Sequence, residues 1–123
     1  MTATLTPAQI AYLRSQTLGR LATIRPDGTP QNNPVGFRVD EGLGVIDIGG
    51  YTMGATQKFR NLAECDKVAF VVDDIVSTDP WEVRCLEIRG TAVALRDVEP
   101  YGPGLSREII RVTPERVIAL GVG

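Results

Sequence analysis

Between Leu18 and Val122 the chain is a succession of short strand-like runs separated by turn residues, with no helical segment long enough to act as a crossover. Parallel strands need connections of a dozen or more residues, usually helical, whereas antiparallel strands can be joined by tight turns. The pattern therefore disfavours a doubly wound sheet and predicts an antiparallel one. "LGRLATIR" and "PQNNPVGFRV" flank the turn signal "PDGT" and read as a β-hairpin. Pro30 and Pro34 lack amide donors, so part of the second strand belongs at an edge or a bulge. "LGVIDIGG" gives a third strand, and "DKVAFVVDD" a fourth that is apolar on both faces and hence central. "IVSTDPWEV" reads as a loop or irregular crossing. "RCLEIRGTAVALRD" is a long fifth strand with Gly90 at a bend or bulge, and "EIIRVTPERVIALGV" is the last, broken at Pro114. Residues 6–16 form a helix with a capping box at Thr6-Pro7-Ala8-Gln9, and residues 54–63 a second, short one. Six short strands with one or two small helices predict a mainly β (α+β) fold, a small closed antiparallel barrel.

A chain of 123 residues with 43% apolar residues is one domain, spanning 1–123. A net charge of −2 argues against a nucleic-acid-binding surface, so any anion site must be local. No apolar run is long enough to span a bilayer, and the N-terminus lacks the pattern of a secretory signal, so a cytoplasmic protein is expected. Histidine is absent, which removes the commonest metal ligand and the usual general base. Cys65 and Cys85 have no CxxC spacing and read as reduced packing residues. No metal site is expected, and there is no GxGxxG or Walker lysine motif.

Three clusters carry candidate chemistry. In "GGYTMGATQKFRNL" a strand gives way to a short helix. Unpaired first-turn amides, the hydroxyls of Thr52 and Thr56, and the cations of Lys58 and Arg60 form a candidate phosphate cradle. Gly49, Gly50 and Gly54 would let a ligand approach the backbone. The alternative is that both cations are solvated helix residues. In the second cluster Gln31, Asn32 and Asn33 sit in a strand, where Asn is disfavoured. Amides both donate and accept, which suits a heterocycle; they also suit the backbone of a bulged edge strand. In the third, Trp81 can line a planar ligand or pack at an interface. Arg84 can meet an anion or pair with Glu82 or Glu87.

These clusters, in this order, carry a resemblance. "LGRLATIRPDGTPQNNPVGF", "IDIGG", "KFRNL" before "DKVAFVVDD", and "DPWEVRCLEIRGTA" resemble the pyridoxamine 5'-phosphate oxidase-like split β-barrel family, over Leu5 to about Val122. Within it the chain looks most like the actinobacterial, deazaflavin (coenzyme F420)-dependent branch. The resemblance implies a six-stranded antiparallel split barrel of the FMN-binding type, paired as a homodimer with flavin or deazaflavin sites at the interface. It implies an oxidoreductase that passes a hydride between F420 and a conjugated small molecule such as an enone or quinone, with FMN the alternative cofactor and a non-catalytic carrier the alternative role. Lys58 matches the family's phosphate-binding lysine, Gln31, Asn32 and Asn33 match ring-facing positions, and Thr52 and Thr56 are weaker matches. Trp81 and Arg84 match a Trp-x-x-Arg pattern of the branch. The acidic tail of F420 would call on further basic residues, with Arg25, Arg38 and Arg60 as candidates. No catalytic residue is identified; an amide, Tyr51 or solvent would supply the proton. True pyridoxamine-phosphate oxidases are longer and use a C-terminal Arg and His, and haem-handling members rely on His, so neither activity is expected here.

Overall fold

The structure is a computed structural model and describes residues 2–123. Helix α1 (Pro7–Arg14) starts where the sequence requires: Thr6 Oγ1 accepts from Gln9 N, and the Gln9 side chain accepts from Thr6 N. Strands β1 (Gly19–Ile24) and β2 (Pro30–Val35) form the expected hairpin. The second extended run then divides. A break at Gly36 and Phe37 separates β2 from β3 (Arg38–Asp40), which pairs with β4 (Val45–Ile48). A 3-10 turn (Met53–Ala55) and helix α2 (Gln57–Asn61) replace the single helix expected over 54–63, because Thr56 is extended and caps α2.

Strands β5 (Lys67–Thr78) and β6 (Trp81–Leu95) form one long hairpin. The loop expected over "IVSTDPWEV" is thus corrected to strand, turned at Asp79-Pro80. β-Branched Ile75 and Val76 favour extension, and the register shift between Ile75 and Ser77 absorbs the irregularity. Strand β7 (Ile109–Leu120) closes the set, and Pro114 sits at a register shift within it, not at a break. Gly90 lies opposite that shift; a Cβ there would run into the Thr113 carbonyl oxygen.

The strands form one seven-stranded sheet in the order β2-β1-β5-β6-β7-β4-β3. Its two edge strands, β2 and β3, are consecutive in the chain, so the sheet curls round until its edges are joined by two residues of backbone and no ladder. This is the split of a split barrel. Pro30 and Pro34 lie on the edge strand β2, where a missing donor costs least. Inward positions fill the interior: Leu21, Ile46, Ile48, Phe70, Val72, Leu86, Ile88, Ile110 and Val112 are fully buried. Each such side chain contributes about 1.5–3 kcal/mol of burial. Leu13 of α1, Phe59 of α2 and Leu62 at its C-cap plug the barrel. The strand "VAFVV" is central as expected, yet it is buried on one face only. Val68, Phe70 and Val72 point in, while Ala69 and Val71 are half-covered outside. No helix among the described residues is long and apolar enough to cross a membrane.

Candidate functional site

The end of β4, the 3-10 turn and α2 bring the first two sequence clusters together at the mouth beside edge strand β2. The register Thr23↔Gln31 and Leu21↔Asn33 puts Gln31 and Asn33 on the same face as inward residues of β1, and both are half-buried. Asn32 lies on the opposite face and is exposed, so the three amides do not act as one group. A residue not singled out from sequence links the face to α2. Asn61, fully buried, donates from Nδ2 to Thr23 Oγ1 (2.9 Å) and Gln31 Oε1 (3.2 Å). Gln57 Nε2 donates to Asn61 Oδ1 (2.8 Å), and Gln31 Nε2 donates to Asn33 Oδ1 (2.8 Å). The signal was there: Gln57 and Asn61 are spaced i, i+4 and so share a helix face.

Arg60 joins the same set. Its Nη2 donates to Gln57 Oε1 (3.0 Å) and its Nη1 to the Ala55 carbonyl (2.7 Å). Lys58 is half-buried and has no ion pair or side-chain hydrogen bond among the described residues; burial holds its ammonium below the ordinary lysine pKa. A desolvated cation without a counter-charge fits an anionic ligand group. Thr52 is exposed and its side chain caps nothing. Thr56 is occupied: its hydroxyl donates to the Met53 carbonyl (2.7 Å) and accepts from Phe59 N (3.3 Å).

Three of the backbone amides expected to be open are taken. The segment after β6 folds over the glycines and caps them. Tyr101 Oη accepts from Gly49 N (3.0 Å), Ser106 Oγ from Met53 N (3.1 Å), and Glu108 Oε1 from Gly54 N (3.1 Å). A Cβ at Gly54 would lie 2.8 Å from Glu108 Oε1, so the glycine admits a carboxylate of the chain itself. The donors left for a phosphate are thus Lys58, the Thr52 hydroxyl and the first amides of α2, Gln57 N and Lys58 N, which have no partner among the described residues. Tyr51 in the same turn is 78% exposed.

Two other arginines are engaged elsewhere. Asp47 of β4 is fully buried and is held by Arg111 Nε (2.8 Å) and Nη2 (3.1 Å) and by Arg38 Nη2 (3.0 Å). Burial alone would raise its carboxyl, but the bonds from Arg111 and Arg38 outweigh it and hold the pKa below the usual range. Arg38 also stacks over Tyr101. Arg25 is exposed at the β1–β2 turn, where the bonds from Thr29 and then the nearby Arg25 charge hold the Asp27 carboxyl below its usual range.

Trp81 and Arg84 lie at the far end of the β5–β6 hairpin. Ala22 of β1 is level with Ala69, and Trp81 with Thr78. The span from Ala69 to Thr78, at about 3.3 Å per residue, is about 30 Å. Within one protomer they do not meet the α2 cluster. Arg84 pairs with Asp74, not with Glu82 or Glu87: Nε donates to Oδ1 (3.0 Å) and Nη2 to Oδ2 (2.7 Å). Strand register decides this, since Asp74 lies directly opposite Arg84 while Glu87 bonds Arg89. Tyr12 Oη also donates to Asp74 Oδ1 (2.8 Å), and burial, then this bond, pushes its phenol pKa up. Trp81 is 65% exposed over an open groove of about 520 Å³ lined with Val76, Val83 and Leu120. Cys65 and Cys85 are free, and burial first pushes the Cys85 thiol pKa up, the reverse of an activated nucleophile.

Residues 5–121 match the family described as Pyridoxamine 5'-phosphate oxidase. A "5a,11a-dehydrotetracycline/5a,11a-dehydrooxytetracycline reductase" of Streptomyces rimosus is 47% identical over 122 residues, 95% of this chain and 83% of the relative. Among solved structures, one described as an F420 reductase is 31% identical with a TM-score of 0.62, over 83% of this chain and 89% of that one. The conserved hypothetical protein Rv2991 of Mycobacterium tuberculosis shares the fold at a TM-score of 0.73 and 24% identity, over 94% and 84% of the two chains. The fold and these likenesses agree: the chain belongs to the pyridoxamine 5'-phosphate oxidase family and is an oxidoreductase of its split-barrel type.

Proposed function

We propose that this protein is an F420-dependent reductase of a conjugated small molecule, working as a homodimer. The observation that carries the reading is Lys58, a half-buried ammonium with no counter-charge among the described residues, beside an amide-lined face. The likeness to an F420 reductase favours F420 over FMN. The reductase relative acts on a dehydro compound, which supports an activated alkene, enone or quinone as the acceptor class. When bound, the reduced deazaflavin supplies the hydride. Lys58 would hold the phosphate, with Thr52 as a hydroxyl donor. Gln31 and Asn33 would set the ring's position, since donor and acceptor carbons must be held about 3–3.5 Å apart. With no histidine in the chain, the proton to the product comes from an exposed donor such as Tyr51 or from water.

Dimerisation is supported by two features. Ala22, Ile24, Ala69 and Val71 leave a half-covered apolar stripe on the outside of the central strands. Ile75, Val76 and Leu120 are exposed toward the hairpin end, and exposed Trp81 lies at its tip, about 30 Å along the strand from the level of Ala69. In such a dimer the hairpin end of one copy would bring Trp81 and Arg84 to the Lys58 site of the other. Arg25 would serve the acidic tail. Asn32, on the outward face, would meet the partner.

The test is titration of the purified protein with F420 and with FMN, followed by fluorescence, and then turnover of enones and quinones with reduced F420. The reading expects F420 binding, a dimer by sedimentation, and turnover of at least one acceptor. Tight FMN binding with none for F420 would overturn the cofactor; F420 binding without turnover would make the protein a carrier.

A further inference from the structure

The side chains beside β2 form a chain of bonds with one direction. Arg60 donates to Gln57, Gln57 to Asn61, Asn61 to Gln31, and Gln31 to Asn33, at 3.0, 2.8, 3.2 and 2.8 Å. The three linking residues use their amide oxygen toward Arg60 and their amide nitrogen away from it. Asn33 enters only as an acceptor, so its Nδ2 group is left to donate outward.

An amide relay of this kind is intrinsically reversible. The oxygen and nitrogen ends of Asn and Gln have nearly the same shape, so turning every amide over would keep every bond. Thr23 does not choose between the two, because its hydroxyl can accept from Asn61 or donate to it. Only a terminal group without amphoteric character can fix the direction. Arg60 is that group: a guanidinium has donors and no acceptor. Its second bond, to the Ala55 carbonyl, pins it in place.

We infer that Arg60 is a positioning residue that sets the direction of this five-residue relay, so that the site offers N–H donors from Asn33 to an acceptor atom on the ligand. This rests on the proposal that a planar ring lies against the α2-facing side of β2. It removes Arg60 from the phosphate shell, and makes Gln57 and Asn61 parts of the recognition machinery. It also states the chemistry recognised: a carbonyl-bearing ring edge, not a donor edge.

The inference predicts which substitutions reverse the relay. Arg60→Glu places an acceptor at its head. Gln57 then turns its nitrogen toward residue 60, Asn61 and Gln31 follow, and Asn33 presents its oxygen. Gln57→Glu does the same one step later with Arg60 intact, since a carboxylate can only accept from Asn61. Arg60→Lys keeps a pure donor and the original direction. Both substituted positions are partly or fully exposed, so the fold tolerates them.

The readout is the ring carbonyl stretching band of saturating F420 or FMN on each protein, by infrared difference spectroscopy. The expected result is a band at lower frequency on the wild type and Arg60→Lys than on Arg60→Glu and Gln57→Glu, as donation to the carbonyl is lost. One band position across all four proteins overturns the inference and leaves the cofactor proposal standing. Failure of the wild type to bind either cofactor overturns both.

Discussion

Replacing Lys58 with Met should weaken cofactor binding without destabilising the empty protein. The ammonium is half-buried, its pKa is lowered by that burial, and no carboxylate answers it among the described residues. A charge-assisted hydrogen bond to phosphate is worth about 1.5–3 kcal/mol. At about 1.4 kcal/mol per decade, its loss raises Kd by about 10- to 150-fold. In the ligand-free state the sign is opposite. A lysine whose folded pKa lies below its unfolded value costs stability while both states are protonated, and that cost fades as pH rises through the folded pKa. Met keeps the apolar stem and removes the charge. At neutral pH the variant should therefore melt no lower than wild type. The assays are fluorescence titration with F420 and FMN, and calorimetry without ligand. A Kd within threefold of wild type, or a lower Tm for the empty variant, would refute the assignment of Lys58 as an anion holder.

Asp47→Asn should flatten the acid limb of stability. The folded carboxyl is held below its unfolded value, so its contribution is present above about pH 4 and lost as pH falls through the folded pKa. Melting curves from pH 6 to 2 should show a smaller slope in the variant, and at pH 7 a loss of about 1.5–3 kcal/mol, because Arg38 and Arg111 are partly solvated and lose charge-assisted bonds to Asp47. Gly90→Ala should cost more than about 2 kcal/mol in urea unfolding, because the new methyl meets the Thr113 backbone and no flexible side chain can yield. A near-neutral result would mean the β6–β7 bulge relaxes freely.

Much of the fold was legible because its signals are local. Thr6 and Gln9 cap α1 through bonds spanning three residues, and Pro30 and Pro34 announce an edge strand whatever lies beside it. The β5–β6 hairpin was not read, because Asp79 and Pro80 sit in a polar stretch whose extension depends on pairing with the opposite strand. Division of the second run into β2 and β3 likewise depends on β4 being available to pair. In the site, Lys58 could be singled out by charge alone. Whether the glycine amides were free could not, because Tyr101, Ser106 and Glu108 lie about fifty residues further along the chain. Asn61 escaped notice for a different reason. A buried amide in a five-residue helix looks like a cap until its partners on β1 and β2 are known.

The seam between β2 and β3 has a mechanical consequence. Two covalently linked strands with no rungs between them can move apart by rotation at Gly36 and Phe37, and no backbone hydrogen bond is broken in the process. The rest of the sheet stays zipped. What resists the parting is packing alone, since Phe37 lies edge-on to Phe70 against the core, whereas a fully laced cylinder would have to tear its ladder first.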